Sequence, residues 1–370
     1  MSEDSSRAEG STLSTGKKLV FALIVLVLFI FAAEGLLRVW VYFIREEFER
    51  YDVATQTWVL VPGTYRSLNK EVVVNSDGFS GAELLEDGDD LWRIVAVGDS
   101  NTFGAGSLHH SYPGALQTVL REQAKPGRRF EVINAGIQGL DSLHALRRLR
   151  AKVLPLDPDV ITIYIGWNDL MKLDPLGDSG IPAVSQVSRF IDRLWLVKGM
   201  RKLVFLWIRP RIDPPATGPE SRSGRFTDFV PHAYIKNVEM MIEEIREIGA
   251  KPMIFTLPTV VRENFTVEDV RNARVFFPYY PSAYSIGDLL EILAAYNRAI
   301  RTIALENSVP LVDLERTFED RPDYRDLFWD TMHPNFEGNE IIANKILSVS
   351  REKGLLGGGL NSQPDSTSED

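Results

Sequence analysis

The chain has 370 residues, a length that suits one enlarged α/β domain with appended segments. Its 41 basic and 51 acidic residues give a net charge of −10, and no stretch has the concentrated basic face that nucleic-acid binding requires. Because the sequence contains no cysteine, disulfide frameworks, thiolate metal sites and a cysteine nucleophile are excluded.

An apolar segment close to the N-terminus predicts a membrane anchor. Residues 1–16 are polar and rich in serine, as is typical of a disordered tail. After a lysine pair, residues 19–33 contain no polar side chain. A helix over 19–44 spans ~39 Å, which exceeds the ~30 Å hydrocarbon core of a bilayer. We therefore expect residues 17–44 to form a single transmembrane anchor that crosses the membrane through 19–44.

Two alternatives to an anchor are a cleaved signal peptide and a buried helix of a soluble protein. Cleavage after Ala33 would place Phe31 where a small residue is favoured, so we expect the segment to stay uncleaved. Nothing else in the sequence requires a buried helix this apolar. Basic residues are slightly more numerous before the segment than after it, which predicts a cytoplasmic tail and a periplasmic or cell-surface domain. Glu34 and Arg38 lie four residues apart, so they would share a helix face.

The rest of the chain is predicted to comprise a linker, one domain and a second tail. Residues 45–91 begin and end with charged stretches, which predicts a linker or entry segment leading into the domain, with a peripheral strand at 72–74. The domain covers 92–354, and an interruption of its pattern at 170–227 predicts a cap insertion. Residues 355–370 are rich in glycine, serine and acidic residues, which predicts a disordered tail.

Two stretches have alternative interpretations. Residues 189–211 combine basic residues with an apolar run, but the charges do not keep to one helical face. This pattern favours a cap over the sheet edge rather than a segment lying on anionic lipid. The aromatic loop at 276–281 is expected either to line a substrate pocket or to pack into the core.

Strands and helices alternate within the domain. Short apolar runs predict buried strands, and stripes of apolar residues at helical spacing predict the helices between them. This alternation predicts a parallel sheet with helices on both faces. The predicted strands are 94–97, 130–133, 160–165, 253–257 and 310–312.

A candidate nucleophile and base follow two of these strands. Ser100 ends Gly98-Asp99-Ser100, a tripeptide that alone is also ordinary turn chemistry. A serine hydroxyl is a poor nucleophile unless a base removes its proton. His333 has a carboxylate, Asp330, three residues upstream and a helix-starting Pro-Asn behind it, and no other of the five histidines has both. Asp330 would hold the imidazole in the right tautomer.

Attack on a carbonyl also requires hydrogen-bond donors for the developing oxyanion. The backbone N–H groups of Ser100 and Gly139 and the side-chain amide of Asn168 are suitable donors. Taken singly, Gly139 is equally typical of a turn and Asn168 of a helix cap. For the remaining histidines, including the pair at 109–110, surface positions are a better interpretation than metal ligation.

These residues occur in the order of four blocks, and the chain resembles the SGNH hydrolases, also called the GDSL esterase/lipase family. The resemblance covers residues 92–350. It implies a three-layer α/β/α flavodoxin-like parallel sheet and a Ser100–His333–Asp330 triad that needs no metal and no cofactor. It also implies an oxyanion hole of Ser100, Gly139 and Asn168, with Gly136 as the less favoured glycine. The four matching blocks are Gly98-Asp99-Ser100, Asn134-Ala135-Gly136-Ile137-Gln138-Gly139, Gly166-Trp167-Asn168-Asp169 and Asp330-Thr331-Met332-His333.

The leading hypothesis is a membrane-anchored serine esterase that hydrolyses carboxylic esters, such as O-acetyl groups, outside the cytoplasm. Its expected partners are the membrane and an acylated carbohydrate or lipid, with no nucleic acid. One alternative is an O-acyltransferase that modifies an envelope polysaccharide with the same residues. The two residues between Asp330 and His333 resemble the spacing of the hydrolases rather than that of related transferases. A second alternative is a non-catalytic envelope scaffold, which intact catalytic blocks do not favour.

Overall fold

The structure is a computed structural model, and its chain divides into two compact units. The first comprises residues 1–46 and 178–209, and the second comprises 47–177 and 210–370. The residues that the structure describes are 14–44, 48–67, 70–104, 110–171, 194, 196–197, 200, 216–224, 226–273 and 285–361.

The first unit contains one long apolar helix, α1, at Thr15–Ile44. Its stretch Thr15–Val39 has a mean hydropathy of 2.8 and is long and apolar enough to cross a membrane. The Arg38 Nε donates to Glu34 Oε1 at 2.9 Å, so the two residues share one helix face as predicted and are paired there. The other carboxylate oxygen of Glu34 accepts from the backbone N–H of Leu196 at 2.9 Å.

Strands of the second unit form two antiparallel hairpins and one parallel sheet within the described residues. The hairpins pair β1 with β2 and β3 with β4. The parallel sheet has five strands in the order β6-β5-β7-β8-β9. The strands are β1 Glu49–Asp52, β2 Thr57–Leu60, β3 Gly63–Ser67, β4 Lys70–Val74, β5 Leu91–Gly98, β6 Arg129–Asn134, β7 Val160–Tyr164, β8 Lys251–Phe255 and β9 Leu311–Val312.

Helices connect these strands and follow the last one. Several begin where the sequence offers a side chain that can accept from the first backbone N–H groups, as Ser285 does from Asp288. The described helices of this unit are α2 Ser100–Phe103, α3 Tyr112–Gln123, α4 Ser142–Arg148, α5 Trp167–Met171, α6 His232–Glu247, α7 Val267–Asn272, α8 Ile286–Glu306, α9 Leu314–Glu319 and α10 Phe336–Glu352.

The sheet lies between two helical layers. In one layer, α3 packs on β6 and against α10, which also packs on β9. In the other, α4 packs against α6, and both α6 and α8 pack on β8. This division follows from right-handed crossovers, because the chain steps from β5 to β6 in one direction and from β6 onward in the other. The predicted three-layer α/β/α parallel-sheet fold is thereby confirmed.

The strand order positions the site. It is the flavodoxin-like order, in which the first strand lies between the second and third, and ligands bind where the chain direction across the sheet reverses. That point lies at the carboxyl ends of β5 and β7. The core of β5 pairs on both sides, with Val95 opposite Ile133 and Ile161, and all three side chains are buried.

Two segments differ from their predicted character. The predicted linker at 45–91 contains the two hairpins, and Val72, Val74 and Phe79 are buried in the core. The peripheral strand predicted at 72–74 is part of β4. The other short strands mix polar and apolar residues, so their packing was not predicted from composition. Three predicted features cannot be compared with the structure because they lie wholly or mostly outside the described residues. They are the aromatic loop at 276–281, the cap insertion at 170–227 and the basic and apolar stretch at 189–211.

The predicted C-terminal tail is the second difference. Within 355–370, Leu355 and Leu356 are buried, and the Trp92 indole N–H donates to the Leu355 carbonyl at 3.0 Å. The backbone N–H of Lys125 donates to the Gly359 carbonyl at 2.9 Å. These contacts fix the segment as far as 361, so the prediction of a disordered tail is wrong there, because two leucines bury apolar area despite the surrounding glycines.

Candidate active site

The candidate nucleophile emerges from a tight turn between β5 and α2. Gly98 is required at this turn, because a Cβ there would overlap the Thr102 hydroxyl and lie 2.5 Å from the Tyr164 carbonyl oxygen. The next residue, Asp99, accepts a hydrogen bond from the backbone N–H of Asn101 at 2.9 Å and so caps α2. Ser100 is the first residue of α2, at the carboxyl edge of the sheet.

The structure brings three of the sequence-predicted residues into one hydrogen-bonded line. Ser100 Oγ lies 2.8 Å from His333 Nε2. On the other side of the ring, His333 Nδ1 lies 2.8 and 2.9 Å from the two carboxylate oxygens of Asp330. A carboxylate at Nδ1 keeps the proton on that nitrogen and leaves Nε2 able to accept one. This arrangement can activate Ser100 as a nucleophile.

The turn that presents Asp330 and His333 is held in place by backbone hydrogen bonds. One Asp330 carboxylate oxygen also accepts from the backbone N–H groups of Met332 and His333, each at 3.0 Å. From the loop after β8, the Thr259 hydroxyl donates to the Thr331 carbonyl at 2.7 Å, and the backbone N–H of Val260 donates to the same oxygen at 3.2 Å. Hydrogen bonds inside the turn and from the loop after β8 therefore hold Asp330 and His333 in place.

The electrostatics of the pair favour the charged imidazole. Burial of the ring lowers the pKa of His333, but the hydrogen bond and charge of Asp330, with a further contribution from the charge of Asp99, outweigh it and raise the pKa above 6.5. Burial opposes the ionisation of Asp330, but the bond and charge of His333 and two backbone N–H groups outweigh it and lower the pKa of Asp330. Asp330 is thus ionised at neutral pH and able to stabilise an imidazolium.

The three predicted oxyanion donors come from three different strand ends. The Ser100 N–H lies at the start of α2, Gly139 lies in the loop after β6 with a φ of +72°, and Asn168 lies in α5 after β7. Gly139 adopts the left-handed region that favours glycine, and Gly136 packs against the backbone of Phe103. The two glycines therefore have different surroundings, and Gly136 is the one with no room for a side chain.

The amide of Asn168 already has hydrogen-bond partners. Its Nδ2 donates to Asp99 Oδ2 and to the Leu140 carbonyl, both at 3.1 Å. Asp99 is fully buried, and burial raises its pKa against the opposing effect of the Asn101 and Asn168 hydrogen bonds and the charge of His333. In the sequence, Asp99 is recognisable only as part of a turn. Its position directly before the nucleophile was the signal that could have identified it.

The contact between Asp169 and Ser142 could not be predicted from the sequence. Asp169, directly after Asn168, accepts from the backbone N–H of Ser142 at 2.9 Å and from the Ser142 hydroxyl at 2.5 Å. Ser142 begins α4, three residues after Gly139. The acidic residue in the Gly166–Asp169 block was the available signal, but its partner depends on how α5 meets α4 in the folded chain.

Two other histidines, His144 and His110, contact neighbouring side chains. His144 Nδ1 lies 2.6 Å from Asp141, the residue that caps α4, and its ring contacts the ring of Tyr51. His110 makes an edge contact with Phe336. Among the described residues, no group of three or more His, Cys, Asp or Glu side chains is arranged to hold a metal ion.

Comparison with known proteins assigns the chain to a family. The profile of the GDSL-like lipase/acylhydrolase family matches residues 96–341, which include Ser100, Asn168 and His333. The chain belongs to this family. Membership in the GDSL-like family identifies the chain as a hydrolase of the ester-bond type, as the sequence predicted.

Individual relatives of this GDSL-like chain are distant. It is 34% identical over 110 residues to the uncharacterized lipoprotein YqeF of Bacillus subtilis (strain 168). That alignment covers 30% of this chain and 43% of the lipoprotein, so the chain matches less than half of the length of this curated relative.

Solved structures similar to the GDSL-like chain include a lipase/acylhydrolase and an acetylxylan esterase. The lipase/acylhydrolase from Enterococcus faecalis is 18% identical with a TM-score of 0.42, over 74% of this chain and 99% of that one. An acetylxylan esterase from Geobacillus stearothermophilus is 16% identical with a TM-score of 0.42, over 74% and 97% of the two chains.

Proposed function

We propose that this protein is a membrane-anchored serine esterase that hydrolyses carboxylic esters outside the cytoplasm, with Ser100, His333 and Asp330 as its triad. The observation that supports the triad best is the 2.8 Å distance from Ser100 Oγ to His333 Nε2, with Asp330 on the opposite ring nitrogen. A serine and a base within hydrogen-bond reach, with the base oriented by a third group, is the arrangement that covalent acyl transfer needs.

The proposed reaction proceeds in two halves. Ser100 Oγ attacks the ester carbonyl carbon while its proton passes to His333 Nε2, and the C=O electron pair moves onto the oxygen. The tetrahedral adduct collapses, the C–O bond to the alcohol breaks, and His333 returns the proton to the leaving oxygen. Water then attacks the acyl-Ser100 ester with His333 again as base, which releases the acid and restores the serine.

The oxyanion would be stabilised by the N–H groups of Ser100 and Gly139 and by the Asn168 amide. In the structure, Asn168 donates to Asp99 and to the Leu140 carbonyl. During the reaction one of these bonds would be shared with, or replaced by, a bond to the oxyanion. Asp99, which caps α2, would then also hold the Asn168 amide beside the nucleophile.

The location and substrate complete the proposal. Residues 17–44 anchor the chain through α1, the tail at 1–16 stays in the cytoplasm, and the domain that contains Ser100 and His333 lies outside it. This domain includes the hairpins at 49–74 and the C-terminal segment as far as 361. The stretch of 25 residues in α1 and the lysine pair near its start support this topology. An anchored extracytoplasmic enzyme meets envelope esters, so O-acetyl groups on cell-envelope polysaccharides are the proposed substrates.

Covalent labelling tests the proposed nucleophile. The full chain in detergent should react once with a fluorophosphonate probe and should hydrolyse p-nitrophenyl acetate, because the probe traps a base-activated serine. Ser100→Ala should lose both the label and the hydrolysis. A Ser100→Ala variant that still labels at the wild-type level contradicts the assignment. Release of acetate from acetylated polysaccharide, set against transfer to an added sugar acceptor, separates hydrolysis from acyl transfer.

A further inference from the structure

The carboxylate of Asp169 in α5 connects this helix to the segment that follows β6. Both oxygens of Asp169 are used, Oδ2 by the backbone N–H of Ser142 at 2.9 Å and Oδ1 by its hydroxyl at 2.5 Å. The Ser142 hydroxyl in turn accepts from Asn237 Nδ2 at 2.8 Å. We call the two bonds between Asp169 and Ser142 the 169–142 clasp. Ser142 is almost fully buried and Asp169 is half-buried, and bonds to a charged acceptor are stronger than bonds between neutral groups.

The clasp joins the two segments that supply the proposed oxyanion donors. Asp169 directly follows Asn168, and Ser142 lies three residues after Gly139. The neighbouring side chain of Asn168 binds the same loop through the Leu140 carbonyl at 3.1 Å. Two adjacent side chains of α5 therefore hold the loop from Gly139 to Ser142. This loop lies between the end of β6 and the start of α4.

Capping of α4 does not by itself explain the clasp. Asp141 is the cap residue of that helix, and its carboxylate accepts from the backbone N–H of His144 at 3.0 Å. The helix therefore begins with its own side-chain cap. The bonds from Asp169 instead connect the helix start to α5, across the sheet edge where Ser100 lies.

We propose that Asp169 is a positioning residue for the oxyanion hole, which sets the distance between the Gly139 N–H and the Asn168 amide without touching the substrate. The proposal rests on the proposed function, because it assumes that these two groups share one oxyanion. Donors to an oxyanion act only when they lie within a few tenths of an ångström of the productive geometry. The clasp supplies that precision through a rigid two-bond contact.

The test measures the rate at which a fluorophosphonate labels Ser100 in the full chain. The phosphoryl oxygen of the probe occupies the oxyanion hole, so the rate reports on the hole whether water or an alcohol is the natural acceptor. We expect Asp169→Ala to slow labelling by ~10–100-fold, the scale for a displaced catalytic group. The midpoint of the pH dependence should not move, because His333 and Asp330 are untouched.

Asp269→Ala is the matched control. Asp269 likewise accepts from the backbone N–H and hydroxyl of one residue, Thr266, at 2.9 and 2.7 Å, but at the start of α7. It also pairs with Arg325 at 2.8 Å, so its removal likewise costs the chain a local network of bonds. We expect its labelling rate to equal that of the wild type.

A double-mutant cycle with Asn168→Ala separates positioning from general loss of structure. If Asp169 acts through the oxyanion hole, Asp169→Ala should slow labelling less than ~3-fold once Asn168 is absent, since residues that act as one unit are not additive. Ser142→Ala keeps the backbone bond to Asp169 and should slow labelling by ~3–10-fold. This variant tests the positioning role if Asp169→Ala does not fold.

The outcomes separate the two proposals. A wild-type chain that does not label contradicts the proposed function. A wild-type chain that labels, with Asp169→Ala or Ser142→Ala labelling at the wild-type rate, overturns the positioning role and leaves the proposed function intact. The role is also overturned if the losses of Asp169→Ala and Asn168→Ala multiply in full, or if Asp269→Ala slows labelling equally.

Discussion

The imidazole of His333 is hydrogen-bonded to the carboxylate of Asp330, and this environment determines the pH dependence of the proposed reaction. Burial disfavours its charged form, but Asp330 and the more distant Asp99 outweigh burial and raise the pKa above 6.5. The base must be neutral to accept the proton of Ser100. We therefore expect kcat/KM for p-nitrophenyl acetate to rise with pH, with a midpoint above 6.5, and to level off at higher pH. A midpoint at or below 6.5 contradicts the proposed environment.

Asp330→Asn tests the source of that shift. The change removes the charge that favours the imidazolium, so the midpoint should move down while the fold is preserved by the nearly isosteric side chain. The amide can also stabilise the wrong tautomer, and kcat should fall by up to ~10⁴-fold, as for the aspartate of a serine-protease triad. Circular dichroism and the thermal midpoint serve as controls. Wild-type turnover would remove Asp330 from the triad.

Asn168→Ala tests the side-chain donor of the oxyanion hole. Turnover should slow by ~10²–10³-fold with little change in KM, because the lost bond is made mainly in the transition state. Ser100 should still be labelled by a fluorophosphonate, though more slowly. Asn168→Asp is the matched variant, since it keeps the size but places a negative charge beside the oxyanion and Asp99. If both variants turn over at the wild-type rate, Asn168 is not an oxyanion donor.

At the level of elements, the turn between β5 and α2 leaves no space for a side chain at Gly98. An added methyl group would overlap the Thr102 hydroxyl and press on the Tyr164 carbonyl oxygen of the neighbouring strand. We expect Gly98→Ala to reduce the free energy of unfolding by ~1–3 kcal/mol and to displace Ser100, with a fall in kcat. Gly127→Ala, which has open space but a φ of +75°, is the control for stability alone. Equal activity of the two variants contradicts this account.

The C-terminal segment is a second structural element whose contribution can be measured. Leu355 and Leu356 are each about 5% exposed or less. Leu355→Ala should lower the free energy of unfolding by ~2–5 kcal/mol, since it removes buried methyl groups and leaves a cavity. Exposed Lys353→Ala should change stability by less than ~0.5 kcal/mol. Denaturant titration compares them, and equal midpoints would show that the segment does not belong to the core.

The sequence predicted those features that depend on local pattern. Ser100 and His333 were identifiable because functional residues follow the carboxyl ends of parallel strands, and the sheet itself followed from alternating apolar runs. The order of the strands and the 169–142 clasp depend on contacts between segments far apart in the chain, which no local pattern records. Leu355 and Leu356 were missed because glycines dominate the composition of their segment.

At the scale of the whole molecule, the family match and the apolar helix occupy separate parts of the chain. The family profile covers residues 96–341, while the helical stretch that could cross a membrane is Thr15–Val39. The family match therefore does not account for the helix, which needs its own explanation. Its side chains from Leu19 to Phe31 are largely exposed, which would be unfavourable in water and is favourable in lipid.

This separation gives a prediction about location. The protein should remain in the membrane fraction after a high-pH wash, with its N-terminal residues intact. Leu26→Arg combined with Ile30→Arg should release it, because each arginine near the helix centre disfavours insertion by ~2.5–3.5 kcal/mol. Leu26→Val combined with Ile30→Val is the control and should stay bound. Recovery of a wild-type chain that begins after Ala33 would show a cleaved signal peptide instead.

Orientation requires a separate measurement, because membrane retention is the same for either topology. A reporter that is active only outside the cytoplasm should work when fused after Asp370, and a reporter active only in the cytoplasm should not. Lys17 and Lys18, with Arg7, are the basic residues that precede the apolar run beginning at Leu19. Lys17→Glu combined with Lys18→Glu should therefore raise the fraction of inverted chains, since basic residues are retained on the cytoplasmic side. A wild-type fusion active only in the cytoplasm would place the proposed esterase inside the cell and exclude cell-envelope esters as its substrates.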